Sequence, residues 1–377
     1  MADGDAMNQK IELPAGVELP LNLGLNDGIW CSQAALDAMK QFNSRTSLRW
    51  YTDPDNDRLR EVIAELDGVR RDQVFLRNGS GPILKQVFPH IVKTRIKASP
   101  RRVLRHLVNK NGYPIVTGRF TYSKVPKKAA EIGLTIHLLP LGPENGFTFD
   151  MKRLEGILER QDSIVYLCNP NNPTGNVLID KAKVEQLATR FPQSTFWIDE
   201  AYVHYLPEEE HERVSPLVAT LPNLVVSRTF SFAYGMAGVR IGYLLGSEAL
   251  VKELNSQLTN YRIGGLQEAM AVASLRDPEH LPFVRENVAK ERQKTIAAIN
   301  AMEGVEAFPS VTNFVLCRFT DGRTGEWLKA RLAERQVHIK VLAPFHTERY
   351  DPYFRLTMGV PAETDYLLAQ IADVLAE

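Results

Sequence analysis

The stretch Asn169-Pro-Asn-Asn-Pro-Thr-Gly175 directly follows the apolar run Ile164 to Leu167. Two X-Pro bonds and a glycine fix a rigid loop at the end of a strand. A bare turn needs neither so many amides nor such rigidity. In open α/β sheets, ligands bind outside the C-terminal ends of the strands. The runs Thr195 to Ile198 and Leu224 to Val226 read as further buried parallel strands. Between them Lys181 to Arg190, apolar at Val184, Leu187 and Ala188, reads as a helix. This rhythm predicts βαβ units and a mostly parallel central sheet covered on both faces. Pro54 to Leu66 is predicted to open another helix, with Asp53 as its N-cap.

The last third changes character. Helices are predicted from about Leu281 to Met302 and from Ala362 to Ala376. Strands are expected near Asn313 to Phe319, His338 to Val341 and Phe354 to Met358. A chain of 377 residues suits two domains at roughly 150 residues each. We expect a large domain over 45–265, and a smaller α/β domain built from 266–377 with the N-terminal arm 1–44.

Charge and composition exclude several classes. Lys+Arg and Asp+Glu both number 45, which removes the net positive field that drives nonspecific nucleic-acid binding. A hydrophobic share of 44% excludes wholesale disorder. Cys31, Cys168 and Cys317 are an odd number without a CxxC, so neither a disulfide framework nor a structural zinc is expected. No apolar run approaches the roughly 20 residues of a membrane span, and residues 1–10 lack an apolar leader. The expectation is a soluble cytoplasmic protein. One segment is locally basic, with Lys93, Arg95, Lys97, Arg101, Arg102, Arg105 and Lys110 close together. A solvated helix face explains it; an acidic partner is the alternative.

Three further places carry chemistry. Asp199 ends the run Thr195 to Ile198, with Tyr202 three residues on. A carboxylate there can hold a protonated ring nitrogen, and the hydroxyl a phenolic oxygen. Thr229, Ser231 and Arg240 follow the next strand and offer two hydroxyls and a guanidinium fork. Gly79-Ser80-Gly81 precedes a helical pattern, where free N–H groups suit a phosphate.

With these motifs in this order, the chain resembles a fold type I pyridoxal-phosphate enzyme, closest to the histidinol-phosphate aminotransferase branch. The likeness also covers Tyr51-Thr-Asp-Pro-Asp55, Thr121-Tyr-Ser123, Ser310-Val-Thr-Asn-Phe314 and Phe354-Arg-Leu-Thr-Met-Gly359. The resemblance implies that Asp199 pairs with the pyridinium nitrogen, and that Asn172 and Tyr202 hydrogen-bond the ring's 3-oxygen. Tyr122 stacks on the ring. Ser80, Gly81, Thr229, Ser231 and Arg240 hold the phosphate. Tyr51 reaches that phosphate from the other subunit of a homodimer with shared sites. Arg355 clamps a substrate carboxylate.

One departure outweighs the others. Where the family's Ser-Lys-Ala-Phe/Tyr-Gly motif carries the Schiff-base lysine, this chain reads Ser231-Phe-Ala-Tyr-Gly235. Phe232 has neither a lone pair nor a proton to transfer, so it can do none of that lysine's work. The nearest lysines in sequence are Lys183 and Lys252. The family's N-terminal Asn-Glu-Asn-Pro-Tyr-Gly is replaced by Leu25-Asn-Asp-Gly-Ile-Trp30. Lys340 stands where the branch often has an arginine for the substrate's distal phosphate. The segment from Lys97 to Lys110 reads as an extension of the family pattern.

The leading expectation is therefore an aminotransferase-like enzyme that binds pyridoxal or pyridoxamine phosphate noncovalently and acts on an amino acid or keto acid. The alternatives are a noncatalytic subunit or cofactor-binding module of the same fold, and an ordinary transaminase whose lysine has been exchanged. Lys124, His204, Tyr202 and Tyr234 are candidate substitute bases.

Overall fold

The computed structural model describes residues 13–42, 49, 53, 55–207, 209, 212–257, 263–342 and 350–377. In chain order the strands are β1 (Leu21–Asn22), β2 (Val74–Arg77), β3 (Ile115–Gly118), β4 (Ile136–Leu139), β5 (Ile164–Cys168), β6 (Thr195–Asp199) and β7 (Leu224–Thr229). They continue with β8 (Gly242–Leu245), β9 (Val305–Ala307), β10 (Phe314–Phe319), β11 (Val337–His338), β12 (Lys340–Val341) and β13 (Tyr353–Thr357).

The large sheet has the order β2-β8-β7-β6-β5-β3-β4. All its pairs are parallel except those of β8, which runs antiparallel to β2 and β7. Every residue of β5, β6 and β7 is buried. A sheet covered on both faces demands that, and it is why these strands read as unbroken apolar runs. The expected helix Lys181–Arg190 forms within its predicted bounds, capped by Asp180, whose side chain accepts from Lys183 N–H at 2.7 Å.

The helix expected from Pro54 starts instead at Asp57 and runs to Asp67. Asn56 takes the left-handed conformation just before it, so the turn is completed there. Asp53 still serves the entry, accepting the Asp57 N–H at 2.9 Å.

A second, antiparallel sheet has the order β12-β13-β10-β9, and β1 pairs with β11 in parallel. The helices His280–Asn300 and Pro361–Ala376 lie within two residues of their predicted bounds. Val17, Leu21 and Leu23 of the N-terminal arm share a core with Ile299, Leu332, Phe354 and Ile371. Ala35, Met270, Ala271 and Val272 pack instead into the core of the large sheet, although the division expected at 44 and 266 assigns them to the smaller part. The three cysteines are free thiols. Among the described residues no helix is long and apolar enough to cross a membrane, and no group of three or more His, Cys, Asp or Glu could hold a metal ion.

Candidate active site

The C-terminal ends of β5, β6 and β7 lie side by side, with Cys168 opposite Asp199 and Asp199 opposite Ser227. Strand alternation puts Tyr166, Asp199 and Ser227 on one face of the sheet. The Tyr166 hydroxyl donates to one Asp199 oxygen at 2.7 Å, and Ser227 Oγ donates to the other at 2.9 Å. Ser227 also accepts from Trp197 Nε1 at 2.8 Å, which fixes the direction of its own proton. Tyr166 and Ser227 are absent from the sequence expectations. Their only signal is a hydroxyl inside an otherwise apolar run.

Burial pushes the Asp199 carboxyl up from 3.8 to about 6. Hydrogen bonds from Tyr166, Ser227 and the Ala201 N–H oppose the rise, and Glu200 adds to it. Between pH 3.8 and about 6 the folded chain holds a proton that the unfolded chain has released. The stability tied to this group is therefore full at the acid end, falls through that window, and stays low above it. In protein dialysed free of small molecules, Asp199→Asn should stabilise the fold at pH 8 by on the order of 3 kcal/mol, read as a higher thermal midpoint. That gain should vanish in acid, and a midpoint difference independent of pH would contradict this account. A cationic ring nitrogen bound against Asp199 would cancel the same penalty.

Tyr202 follows β6, and its oxygen accepts from two buried amides. Asn172 Nδ2 and Asn26 Nδ2 each donate to it at 3.0 Å. Its own proton is thereby left to point elsewhere. Asn172 comes from the Asn-Pro loop, and its Oδ1 accepts from Arg355 Nη1 at 2.9 Å. The loop is tied down by Asn171, whose Nδ2 donates to Phe120 O at 2.7 Å, and by Asn169, whose Oδ1 accepts the Leu178 N–H at 2.7 Å.

Sequence reasoning missed Asn26. It is buried with φ 63°, its Oδ1 accepts from Thr357 Oγ1 at 2.8 Å, and its carbonyl accepts from Asn313 Nδ2 at 3.0 Å. The segment Leu25 to Trp30 thus delivers a partner to Tyr202.

Phe232 stacks on the ring of that tyrosine. The two rings are parallel within 8°, with centroids 4.6 Å apart, and Phe314 meets Tyr202 edge-on at 5.0 Å. The backbone at 232 is fixed as well. Gly235 N–H donates to Phe232 O at 2.8 Å, and Gly28 N–H donates to Ser231 O at 3.2 Å.

The anion-binding candidates come together at β7, β8 and β2. Gly242 is opposite both Thr229 and Arg77 in register. A Cβ on Gly242 would stand 2.5 Å from the Ser80 amide nitrogen, and one on Gly79 would stand 2.6 Å from Arg240 Nη2. Two glycines therefore let the start of helix Ser80–Lys97, with Gly81 in its first turn, approach Thr229 and Arg240. Thr229 Oγ1 lies 3.0 Å from Ser231 Oγ.

A cavity of about 300 Å³ adjoins this machinery, lined in part by Tyr122, Lys124, Asn172, Lys340, Tyr350 and Arg355. Arg355 is buried, and its other Nη donates to Gly24 O at 2.8 Å, so the fork is braced while Nε has no partner. Burial lowers its guanidinium to about 10, with Tyr202 and Tyr122 opposing the fall, so it stays charged at neutral pH. Lys340 is the register partner of Arg355. Burial and then the Arg355 charge lower its amine. Burial and then the Asp199 charge raise the Tyr122 hydroxyl.

The structure also sorts the candidate bases. Lys124 lines this cavity, with Nζ 5.6 Å from the Tyr122 ring centroid. His204 and Tyr234 line a different cavity of about 220 Å³ with Asp67 and Arg285. Tyr51 lies outside the described residues.

Residues 19–371 match the family model described as aminotransferase class I and II. The chain is 31% identical to histidinol-phosphate aminotransferase 2 of Thiobacillus denitrificans, over 85% of this chain and 82% of that one. It is 30% identical to histidinol-phosphate aminotransferase 1 of Burkholderia pseudomallei, over 95% and 93%. Among solved structures, the histidinol-phosphate aminotransferase of Sinorhizobium meliloti in complex with pyridoxal-5'-phosphate superposes with a TM-score of 0.77. That likeness spans 96% of this chain and 92% of that one at 24% identity, and it is a likeness of fold type I architecture.

Proposed function

The chain belongs to the aminotransferase class I and II family, and from that premise we propose an aminotransferase-like enzyme that holds pyridoxal or pyridoxamine phosphate without a covalent tether. Its substrate is an amino acid or keto acid. The residues present fit the cofactor. Asp199, buried and raised to about 6, is the anion that a protonated ring nitrogen would relieve. The glycine-flanked cup of Ser80, Gly81, Thr229, Ser231 and Arg240 suits the phosphate. When bound, the cofactor supplies an electron sink for charge at the substrate's α-carbon.

The chain's own residues do the rest. Asn26 and Asn172 hold the Tyr202 oxygen as an acceptor and leave its proton free for the ring's 3-oxygen. Tyr122 covers the ring. Arg355, braced by Asn172 and Gly24, keeps donors for a substrate carboxylate. Lys340 stands beside it for a second anionic group. Of the candidate bases, Lys124 lines this cavity and Tyr202 meets its wall through Asn172, and these two are placed to hold or move a proton. A homodimer that shares Tyr51 between sites, in the cytoplasm, belongs to the same reading.

The observation that carries the tetherless part is Phe232. Its ring packs flat on Tyr202, at the position where the family motif carries its lysine. The purified protein should bind pyridoxal phosphate in equilibrium dialysis. After borohydride treatment and denaturation, its intact mass should be unchanged. Retention of the cofactor's mass on any lysine would sink the tetherless reading, and no binding in dialysis would sink the cofactor itself.

A further inference from the structure

The helix Pro100–Asn109 is built inside out. Arg102 and His106 turn toward the protein, where Arg102 Nη2 donates to Asp162 Oδ2 at 2.8 Å and Nη1 to Arg95 O at 3.0 Å. A Cβ on Gly112 would stand 2.5 Å from Arg102 O and 2.6 Å from His106 Cβ, so the loop after the helix lies against that face. Leu104, Leu107 and Val108, spaced i, i+3 and i+4, point the other way and are 63%, 70% and 76% exposed. No residue of this helix is buried. A helix normally gives its apolar stripe to its own core; this one packs Val103 there beside an arginine and a histidine and leaves three apolar side chains outside.

The segment that carries the stripe is basic. The segment Lys93 to Lys110 holds seven Lys and Arg and no Asp or Glu. Arg102 is the one of the seven that pairs with a carboxylate of the described residues. Lys97, Arg101 and Lys110 are exposed. Exposed apolar stripes on soluble proteins mark interaction sites, and helix-in-groove recognition uses this anchor spacing.

We propose that the face formed by Leu104, Leu107 and Val108 docks an acidic amphipathic helix of a second protein. The charge of the rim selects that occupant. A second copy of this chain would set the same exposed bases, Lys97, Arg101 and Lys110, against themselves, at a cost in repulsion. An anionic bilayer fits less well, because the helix spans ten residues and carries no Trp, Tyr or Phe to seat at the interface. The stripe is small, which suits a transient encounter rather than an obligate interface.

Its place in the fold keeps it clear of the chemistry. The helix lies between the end of Ser80–Lys97 and the start of β3, and it reaches Asp162 and Gln193 just before β5 and β6 begin. That is the N-terminal end of the parallel strands, opposite Asp199, so the docked partner leaves substrate access open.

The test uses the full-length protein and a labelled three-heptad peptide with leucine at the core positions and glutamate on the rim. Fluorescence anisotropy should show binding that weakens with added salt. Leu107→Glu with Val108→Glu, and separately Arg101→Glu with Arg105→Glu, should each weaken it about tenfold or more, with unchanged thermal midpoints because all four side chains are wholly or partly solvent-exposed. The same peptide with a lysine rim should not bind. Equal binding of both peptides, or binding undiminished in the variants, overturns the proposal. So does sedimentation with phosphatidylglycerol vesicles without peptide binding, or a self-associated state that the leucine and valine changes dissolve.

Discussion

Replacing Arg228 by leucine should destabilise the protein by about 3–5 kcal/mol, the largest stability loss expected from a single side chain here. Arg228 is fully buried. Strand alternation turns it to the opposite sheet face from Ser227 and Thr229, so it sits beneath the candidate site rather than in it. Its Nη2 donates to Glu200 Oε2 at 2.6 Å and its Nε to the same oxygen at 2.8 Å. Nη1 donates to Asp67, which also accepts from Tyr243 at 3.2 Å. Burial pulls the guanidinium down, but Asp67 and Glu200 outweigh it and hold the group well above its ordinary value.

The penalty arises because the two carboxylates, 2% and 0% exposed, would stay behind, Glu200 without its cation and Asp67 with only Arg213 at 3.8 Å. An apolar replacement of all three should recover most of the loss, since a buried ion group is weak evidence for net stability. Denaturation of the single variant, set against Arg228→Met with Asp67→Leu and Glu200→Met, separates these ideas. A single variant as stable as the native chain would show that water reaches the carboxylates and solvates them. Glu200 follows Asp199 directly, so the loss should also loosen the site from below.

Much of that site was legible because its parts sit at strand ends. A buried parallel strand is an unbroken apolar run, so the first polar residues beyond it stand out. Asp199, the Asn172 loop and the Thr229–Ser231 pair are all found this way. What stayed hidden depends on tertiary distance. Asn26 reaches Tyr202 across 176 residues of sequence. Tyr166 and Ser227 are single hydroxyls within core strands, and only pairing register tells which side they face. Sequence proximity misleads too. His204 lies two residues from Tyr202, yet it lines another cavity with Tyr234. The antiparallel strand β8 cannot be told from a parallel one by its apolar pattern, although it is the strand that brings Gly242 against Ser80.

Phe232→Lys should convert the proposed tetherless site into a covalent one and raise amine transfer to a keto acid by about 10²–10⁴-fold, the usual worth of a positioned acid–base group. The backbone is ready for it, because the hydrogen bonds of Gly28 and Gly235 hold residues 231 and 232 whatever side chain is present. The exchange removes the flat contact on Tyr202, which costs about 0.5–1.5 kcal/mol and should appear as a lower thermal midpoint. The new amine would stand against Tyr202 with the Arg355 guanidinium nearby. Burial and that neighbouring charge would both favour its neutral, nucleophilic form.

Two readouts divide the outcome. Borohydride should now fix the cofactor's mass at position 232, and Phe232→Leu should gain neither mass nor rate. Covalent attachment without faster transfer would mean that the native site already moves its proton through another group, with Lys124 and Tyr202 the next side chains to change. Attachment at a different lysine would mean that the cofactor sits elsewhere in the cavity, and the assignment of Asp199 to the ring nitrogen would fall with it.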